Sequence, residues 1–528
     1  MRWDVVGLVL GWTIRLVALP LIIVCAFSAY DDGYEYAIKT YLIPILLAAI
    51  LGQILLSLSN DYETSTRVRD REAFASVALG WIPVVLIGAL PYWFGGTFNG
   101  PYELMVGDAT LVEVLEGILF SWFESMSGFT TTGATVIDPL TSPICQDLIS
   151  IQIGQIDCIA SQPRSLLLWR SMTQWFGGMG VIMLGLLILS RALGGGMSFA
   201  RAELTGPTLS RLRPTLQSTA QRLWTIYIIL TLAEMILLFS IGNMNIFDSI
   251  NYALTTLPTG GFGTSDMGVM SFDSIRIEFI LTIFMILAGI NFSLYHMLII
   301  GEYSDVIRDE ELRTYLFIFI LAWIGMAINL MMVGIHELDN SYEAFRHSMF
   351  QAASIGTSTG FASSDFAQWP VFSLFVLLLL MIVGASAGST GGGVKVMRIR
   401  VAFELVRREI QKIIQPKKII AIRLNEETID DSRIWVVLGM LSSWMVLAMA
   451  SILVISMLEV NMDMETVLSV VISSLGNTGP ALGSYGPTQT WASMGAPSLM
   501  ITSLLMWLGR LELLTVLVLL HPRTWTKD

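Results

Sequence analysis

Four short turns rich in threonine, serine and glycine contain the residues of this sequence whose types and spacing could do chemistry. Aligned on one glycine, they are Thr131-Thr132-Gly133, Thr259-Gly260-Gly261, Ser358-Thr359-Gly360 and Asn477-Thr478-Gly479. Glycine tolerates a positive φ, and a backbone bent in this way can aim its carbonyl oxygens at a cation and replace the ion's water shell. The turns therefore predict one cation-selective filter built from four unequal quarters.

The residues around the four turns also repeat in register. Six residues before the aligned glycine stand Ser127, Thr255, Ser354 and Ser473; five residues after it stand Asp138, Asp266, Asp365 and, in the fourth copy, Ser484. We expect the three aspartates to form an acidic outer mouth, which would concentrate cations. The alternative for each of them is an ordinary solvated loop carboxylate.

Each turn follows an amphipathic stretch too short to cross a bilayer. The stretches lie at about 112–128, 246–258, 342–355 and 464–476, whereas a membrane-crossing helix needs about 20 residues. We interpret them as half-helices that enter from outside and end at a pore axis. The partial negative charge of a helix C-terminus favours a cation at that position.

The elements that must position these turns are membrane helices. Of the 528 residues 54% are hydrophobic and 14% charged, and the mean hydropathy is +0.68, which is typical of an all-α membrane protein. Apolar runs predict about ten spans, at 6–30, 36–58, 73–98, 165–190, 219–243, 274–300, 312–335, 370–397, 433–458 and 495–519. The positions of Lys and Arg favour cytoplasmic placement of both termini.

Cysteine and histidine add little chemistry. Cys145 and Cys158 fall in a segment, 139–163, that this topology places outside the cell. The sequence therefore allows either a disulfide between them or two free thiols. Cys25 reads as a buried apolar residue. The four histidines have no metal-ligand spacing, so no metal centre is expected.

Three motifs resemble one family. They are Ser125-Met126-Ser127-Gly128-Phe129-Thr130-Thr131-Thr132-Gly133-Ala134-Thr135, Gln174-Trp175-Phe176-Gly177-Gly178-Met179-Gly180 and Leu257-Pro258-Thr259-Gly260-Gly261-Phe262. They are similar to the Trk/Ktr/HKT superfamily of potassium transporters, and most closely to its bacterial TrkH/TrkG branch. The resemblance runs through nearly the whole chain.

The resemblance implies four membrane-pore-membrane repeats around one pore, preceded by two transmembrane helices. The implied divisions are 1–62 for the two helices, 63–200 for repeat 1 (pore loop 112–138), 201–303 for repeat 2 (pore loop 246–266), 304–415 for repeat 3 (pore loop 342–365) and 416–528 for repeat 4 (pore loop 464–484). Because glycine fills the filter position in all four repeats, the resemblance favours K+ over Na+ as the permeant ion.

The resemblance also implies the surroundings of the protein. It places the chain in the bacterial inner membrane, in contact with lipid, as a homodimer. A TrkA-type cytoplasmic nucleotide-binding regulatory subunit would dock on it, with the basic segment 398–433 as one contact; positive-inside topology alone is the other account of those charges. No organic cofactor and no nucleic acid are expected.

A gate is expected below the filter. Segment 384–393 interrupts an apolar run with Gly384, Gly388, Ser389, Thr390, Gly391, Gly392 and Gly393, followed by Lys395. Irregular backbone at membrane depth is tolerated where it lines a cavity. A phosphate-binding loop is excluded because Val394 separates the last glycine from the lysine and no Gly-Lys-Ser/Thr follows. In the family the matching loop is a gate.

Arg510 lies inside the last apolar run, where an arginine costs about 2.5–3.5 kcal/mol. The resemblance places it below the filter, opposing cation passage; the alternative is a buried structural pair, for instance with Glu512. Arg170 also lies in an apolar run, and whether it pairs with Glu124 is open from the sequence.

The sequence bears on three classes of function. A channel-like potassium uptake pore, gated from the cytoplasm, is favoured. A potassium symporter coupled to H+ or Na+ is the alternative, although Glu234 and Glu512 are the main carboxylates in the spans that could carry a proton. A membrane enzyme lacks support, because no Ser/His/Asp or zinc constellation is visible.

Overall fold

A computed structural model describes residues 2–59, 70–151, 156–180, 216–334, 341–418, 420–425 and 427–525. Its helices, numbered in chain order, are α1 (Trp3–Asp31), α2 (Tyr34–Ala37), α3 (Ile43–Leu58), α4 (Asp70–Phe94), α5 (Pro101–Val106), α6 (Leu111–Phe129), α7 (Pro143–Ile151), α8 (Arg164–Gly178), α9 (Leu216–Ser240), α10 (Ile246–Thr256), α11 (Ile275–Ala288), α12 (Phe292–Ile300), α13 (Tyr303–Arg308), α14 (Glu310–Val333), α15 (Ser341–Gly356), α16 (Val371–Val383), α17 (Val396–Ile414), α18 (Asp431–Leu458), α19 (Met464–Gly476), α20 (Ala496–Arg510) and α21 (Glu512–Leu520).

Short elements complete the described chain. A π-helical turn, Ile38–Leu42, joins α2 to α3, and 3-10 turns lie at Gly268–Phe272, Phe366–Gln368, Gly483–Tyr485 and Pro522–Thr524. Strands β1 (Arg423–Leu424) and β2 (Glu427–Thr428) form an antiparallel hairpin in which Arg423 pairs with Thr428. The described chain is therefore almost entirely helical, as the sequence predicts.

Six helical segments of the described chain are long and apolar enough to cross a membrane. They are Trp3–Asp31, Tyr34–Leu58, Arg71–Phe94, Ala220–Ser240, Glu310–Val333 and Asp431–Leu458. Large apolar side chains remain exposed along them, among them Leu51, Ile236 and Leu321. Because a water-facing helix would expose a polar face instead, these surfaces indicate contact with lipid. The chain is a multi-pass membrane protein.

The expectation of a continuous helix is wrong for two predicted spans, 274–300 and 495–519. The run at 274–300 forms α11 and α12, which meet at an angle of 90°. The corner forms because Asn291 caps α12, with Oδ1 accepting from the backbone N of Ser293 at 3.0 Å, and because Phe292 N donates to Gly388 O at 3.0 Å. The loop 384–393 thus occupies the corner.

The run at 370–397 is interrupted at the glycine-rich segment, where the sequence predicts it, whereas the division of the run at 495–519 was not expected. The run at 370–397 stops as α16 at Val383, and the chain continues as the glycine-rich loop before α17 begins. The run at 495–519 is divided at Leu511 into α20 and α21. The predicted span at 165–190 begins as α8, but residues 181–190 lie outside the described part.

Four of the helices are the predicted half-helices: α6, α10, α15 and α19, here called pore helices 1 to 4. Polar caps start the first two. The Thr110 backbone N donates to Glu113 Oε2 at 2.6 Å in a capping box, and Asn245 Oδ1 accepts from Asp248 N at 2.8 Å. The C-terminal half of each pore helix is buried, so these helices point into the protein core.

Candidate ion-conducting site

The turns after the four pore helices share one backbone conformation. The residue two before each aligned glycine is left-handed, with φ of +54° at Thr131, +57° at Thr259, +60° at Ser358 and +52° at Asn477. The glycine itself has φ of +87° at Gly133, +81° at Gly261, +88° at Gly360 and +99° at Gly479. The values at Thr131, Thr259, Ser358 and Asn477 lie in the small left-handed region that residues with a side chain can adopt, whereas the glycine values lie beyond it. The backbone geometry thus explains why glycine recurs at these four positions.

One backbone hydrogen bond recurs in all four turns. The residue before the aligned glycine donates its N–H to the carbonyl six residues before that glycine: Thr132 to Ser127 at 2.9 Å, Gly260 to Thr255 at 2.9 Å, Thr359 to Ser354 at 2.8 Å and Thr478 to Ser473 at 3.0 Å. This bond closes the C-terminal end of each pore helix onto the turn. The four turns therefore correspond residue by residue.

The four glycines meet the neighbouring turns in a closed cycle. If each aligned glycine carried a Cβ atom, that atom would overlap a backbone carbonyl oxygen of a neighbouring turn. The overlapped oxygen belongs to Gly260 for Gly133, to Thr359 for Gly261, to Thr478 for Gly360 and to Thr132 for Gly479. All four contacts would be closer than 3.0 Å. Each glycine thus abuts the carbonyl that precedes the next glycine, and the fourth turn returns to the first.

One cavity opens on the side of this ring that carries the residues following the four glycines. All four aligned glycines line it, together with Asp138, Asp266, Arg170, Thr490 and Trp491. The cavity is therefore a single vestibule shared by the four turns. Arg170, on α8, is a lining residue that the sequence did not assign to a site.

The predicted outer-mouth aspartates differ in their surroundings. Asp138 and Asp266 line the vestibule, whereas Asp365 is not among its lining residues; its carboxylate caps the turn Phe366–Gln368, accepting from Ala367 N at 3.2 Å. Asp138 accepts from the Thr490 hydroxyl at 2.7 Å. The Asp365 carboxylate thus makes local capping contacts, and its place at the mouth stays a prediction.

Asp266 is fastened to the outer segment of the first repeat. It accepts from the backbone N–H groups of Cys158 and Ile159 at 2.7 and 2.9 Å, and Asp157 in turn accepts from Asp266 N at 2.9 Å. Burial raises the pKa of the Asp266 carboxyl above its ordinary value. Cys158 also forms a disulfide with Cys145. The disulfide-closed segment therefore anchors one wall of the vestibule.

On the other side of the ring lies a second cavity. Its lining includes the loop residues Gly388, Ser389, Thr390, Gly391, Gly392 and Gly393, together with Lys395, Asn477 and Arg510. Gly384, Gly388 and Gly393 all have positive φ, as does Lys395 at +80°. The loop that the sequence predicts as a gate therefore sits directly beneath the ring.

Hydrogen bonds tie this loop to several turns. Gly392 N donates to the hydroxyl of Ser358 at 2.5 Å, and the Thr390 hydroxyl donates to the carbonyl of Leu257 at 2.8 Å. Lys395 folds back so that Nζ donates to the carbonyl of Gly391. The loop is thus held against the second and third turns.

Arg510 bridges the loop and α8. Its guanidinium donates to the carbonyls of Thr390 at 2.8 Å, Gly177 at 2.8 Å and Gly178 at 2.6 Å. These carbonyls satisfy a cation that would otherwise be costly at this depth. The side chain of Glu512, the alternative partner, lies outside the described part.

Comparison with known proteins identifies the family. The TrkH family, described as "Cation transport protein", matches residues 39–525. The chain belongs to the TrkH family. The resemblance noted in the sequence is therefore confirmed, and the family and its members compared here are transporters rather than enzymes.

Individual TrkH-family relatives match over nearly their whole length. "Trk system potassium uptake protein TrkH" of Salmonella typhimurium is 33% identical over 505 residues, covering 94% of this chain and 93% of the relative. The protein of the same name from Halomonas elongata is 31% identical over 531 residues, covering 99% and 98%. The crystal structure of the potassium transporter TrkH from Vibrio parahaemolyticus superposes with a TM-score of 0.80 at 27% identity and complete coverage of both chains.

Three polar side chains of this TrkH-family chain support the ring but were not assigned from the sequence. Gln174 donates from Nε2 to the carbonyl of Gly260 at 2.7 Å and accepts at Oε1 from Phe262 N at 3.2 Å. Arg170 and Glu124 form a buried ion pair at 2.6 Å, the pairing that the sequence left open. The signal for all three was a polar residue within an apolar run or pore helix.

Proposed function

We propose that this TrkH-family chain takes K+ into the cell through a channel-like pore whose filter is the ring of four glycine turns. The observation that carries the proposal is the closed cycle, in which each aligned glycine abuts the carbonyl before the next one. A ring of backbone carbonyls is the arrangement that replaces the water shell of a potassium ion. Relatives named "Trk system potassium uptake protein" support this choice of ion.

The filter would use the carbonyls of twelve residues. They are Thr131, Thr132, Gly133, Thr259, Gly260, Gly261, Ser358, Thr359, Gly360, Asn477, Thr478 and Gly479. The pore-helix C-termini end at these turns and add partial negative charge. Outside the ring, Asp138 and Asp266 give the vestibule an acidic lining, which raises the local cation concentration. The electrostatic potential from the pore-helix C-termini and that from the vestibule aspartates thus both favour a cation.

Control of flow would lie below the filter. The loop 384–393 and the guanidinium of Arg510 line the inner cavity, where a bulky loop and a positive charge both oppose a cation that leaves the filter. Opening then requires Arg510 to release the carbonyls of Thr390, Gly177 and Gly178, or the loop to withdraw with them. Gly384, Gly388 and Gly393 give this loop the backbone freedom to move.

The same proposal includes a cytoplasmic regulator and a second copy of the chain. A TrkA-type nucleotide-binding subunit and a homodimer are properties of the resembled family, and the word "system" in the relatives' names supports a multi-component assembly. With both termini cytoplasmic, α17 and its arginines lie on the regulator's side, and α17 begins directly after the loop 384–393. A movement of α17 would therefore act on the adjoining gate loop 384–393.

Measurement of ion flux tests the proposed function. The purified chain in liposomes, with and without its regulatory subunit, should take up K+ down an imposed potential, and the reversal potential in planar bilayers should follow the K+ gradient. A protein that is intact in the membrane, supplied with its regulator, and still carries no K+ would contradict the proposal. Na+ substitution in the same bilayer gives the permeability ratio.

One observation favours the alternative of a coupled symporter. Glu234, on α9, is fully buried, and neither of its carboxylate oxygens has a hydrogen-bond partner among the described residues. The Thr256 hydroxyl beside it donates to Tyr252 O instead. Carboxylates within membrane spans often belong to proton relays in transporters, and this is the role that Glu234 would have in a symporter. A reversal potential that shifts with the pH gradient, and no longer shifts in Glu234→Gln, would establish coupling.

A further inference from the structure

The buried ion pair between Glu124 and Arg170 connects two adjacent quarters of the ring. Arg170 Nε lies 2.6 Å from Glu124 Oε1, and the side chains are 3% and 0% exposed. Glu124 belongs to pore helix 1 and Arg170 to α8. Removal of two charges from water is costly, and an apolar pair of similar volume is often as stable. Stability alone therefore gives a weak account of this pair.

Glu124 holds the chain that leaves the first filter turn. Its carboxylate accepts from the hydroxyl of Thr135 at 3.1 Å and from the backbone N–H of Val136 at 3.1 Å. These residues stand two and three positions after Gly133. The carboxylate therefore fixes the outer limb of the first quarter to its own pore helix.

Arg170 holds the corresponding limb of the second quarter. Nη1 donates to the carbonyl of Gly263 at 3.0 Å, and the guanidinium carbon lies 3.6 Å from the centre of the Phe262 ring. These residues follow Gly261 directly. Since Gly133 also abuts the carbonyl of Gly260, the pair spans the two quarters that touch at that point.

At the positions equivalent to Glu124, the other three quarters have uncharged residues. Nine residues before the aligned glycine, where Glu124 stands in the first quarter, the others have Tyr252, Gln351 and Val470. Gln351, with its amide oriented to satisfy both partners, accepts from Ser363 N at 3.0 Å and donates to Phe361 O at 3.2 Å. Its bonds stay within its own quarter. The charged bridge between two quarters is thus peculiar, among these four positions, to the first.

We propose that Glu124 and Arg170 are positioning residues for ion selection, which hold the first and second quarters of the filter in one relative geometry while the pair itself adds no net charge beside the vestibule. The proposal rests on the pore function proposed above. It makes a charge-specific prediction, because Arg170 lines the vestibule. Loss of Glu124 makes the charge beside the vestibule more positive, whereas loss of Arg170 makes it more negative.

The test uses the full chain, with its regulator, in planar bilayers under K+ and Na+ gradients. Glu124→Gln and Arg170→Gln should each lower the K+/Na+ permeability ratio by about tenfold, which corresponds to ~1.4 kcal/mol. Their K+ conductances should differ: Glu124→Gln should conduct less than Arg170→Gln, and the gap should widen at low ionic strength. The double Gln variant should remove the conductance gap but keep the poor selectivity.

Arg170→Lys provides partial rescue, because an ammonium can still pair with Glu124 but has no second nitrogen for the Gly263 carbonyl. Its permeability ratio should fall between those of wild type and Arg170→Gln. If the charge variants fail to reach the membrane, Thr135→Ala, which removes one donor to Glu124 and keeps both charges, should still lower the ratio. An unchanged ratio in Thr135→Ala would then overturn the proposal.

A matched control is the ion pair between Arg346 and Glu278. It is also largely buried, with Nη2 2.6 Å from Oε1, and it joins pore helix 3 to α11 rather than two filter turns. Glu278→Gln should leave the permeability ratio at the wild-type value. Equal losses of selectivity in Glu278→Gln and Glu124→Gln would refute the positioning role. Absence of K+ flux in the wild type would instead refute the proposed function.

Discussion

Substitution of one filter glycine gives the sharpest test of the ring. In Gly360→Ser a side chain is forced onto a backbone with φ of +88°, and its Cβ would fall on the carbonyl oxygen of Thr478 and lie 2.8 Å from Pro480 Cδ. A residue with a side chain held in such a conformation costs about 1–3 kcal/mol. Because the overlapped oxygen belongs to backbone, relief requires the fourth quarter to move.

The size of the expected change in ion selectivity follows from that cost. A penalty of about 2 kcal/mol lowers the population of the intact ring about 30-fold relative to a relaxed arrangement. We expect Gly360→Ser to lower the K+/Na+ permeability ratio clearly, because the displaced carbonyl is one of those that face the ion. Reversal potentials under bi-ionic conditions measure the ratio directly, without dependence on how much protein is inserted.

Gly439→Ser is the matched control. Gly439 lies within α18, where an added Cβ meets no atom within 4 Å, so this variant should keep the wild-type ratio. The reasoning fails if Gly360→Ser, purified as an intact assembly, has a permeability ratio equal to that of Gly439→Ser. Such a result would mean that the aligned glycines do not surround the permeant ion.

Three further predictions concern the gate, the outer segment and pH. Arg510→Ala should raise the basal K+ flux into liposomes without the regulator, since it removes both a positive charge and the link from Thr390 to Gly177; an unchanged flux would leave Arg510 a structural role only. Cys145→Ser should lower the stability of the protein by about 2–4 kcal/mol, seen as a lower unfolding temperature in detergent that reductant no longer alters, whereas equal melting of variant and wild type would contradict it. Burial raises the pKa of the Asp266 carboxyl in the folded protein above its ordinary value of 3.8, so the folded state binds this proton more tightly than the unfolded chain. The stability of the protein should therefore decline as the pH rises from that ordinary value through the raised pKa. Asp266→Asn should lack this decline, and the same dependence of melting temperature on pH in both proteins would rule it out.

The shared conformation of the four aligned glycine turns could be predicted from sequence because a local backbone requirement selects glycine there. Gly133 and its three equivalents each need a positive φ and space for a neighbouring carbonyl, and no other residue type meets both needs. In the loop 384–393 the same two needs apply at Gly384, where an added Cβ would overlap the carbonyl oxygen of Gly392. Hydropathy, by contrast, predicted one helix over 274–300, because apolar content does not register the cap at Asn291 or the bond from Phe292 to Gly388.

The tethers behind the ring escaped sequence reasoning for a different physical reason. The third residue after each aligned glycine is held to its pore helix by Glu124 at Val136, Asp248 at Thr264, Gln351 at Ser363 and Ser469 at Leu482. Carboxylate, amide and hydroxyl oxygens can all accept this hydrogen bond, so the four tethers need not share a residue type and leave no common sequence signal. Four repeats can therefore keep one backbone ring while their supporting side chains diverge. The unequal quarters then differ in the charge of the side chains that hold them. In the first quarter, one substitution at Glu124 or Arg170 changes the filter geometry and the local field together.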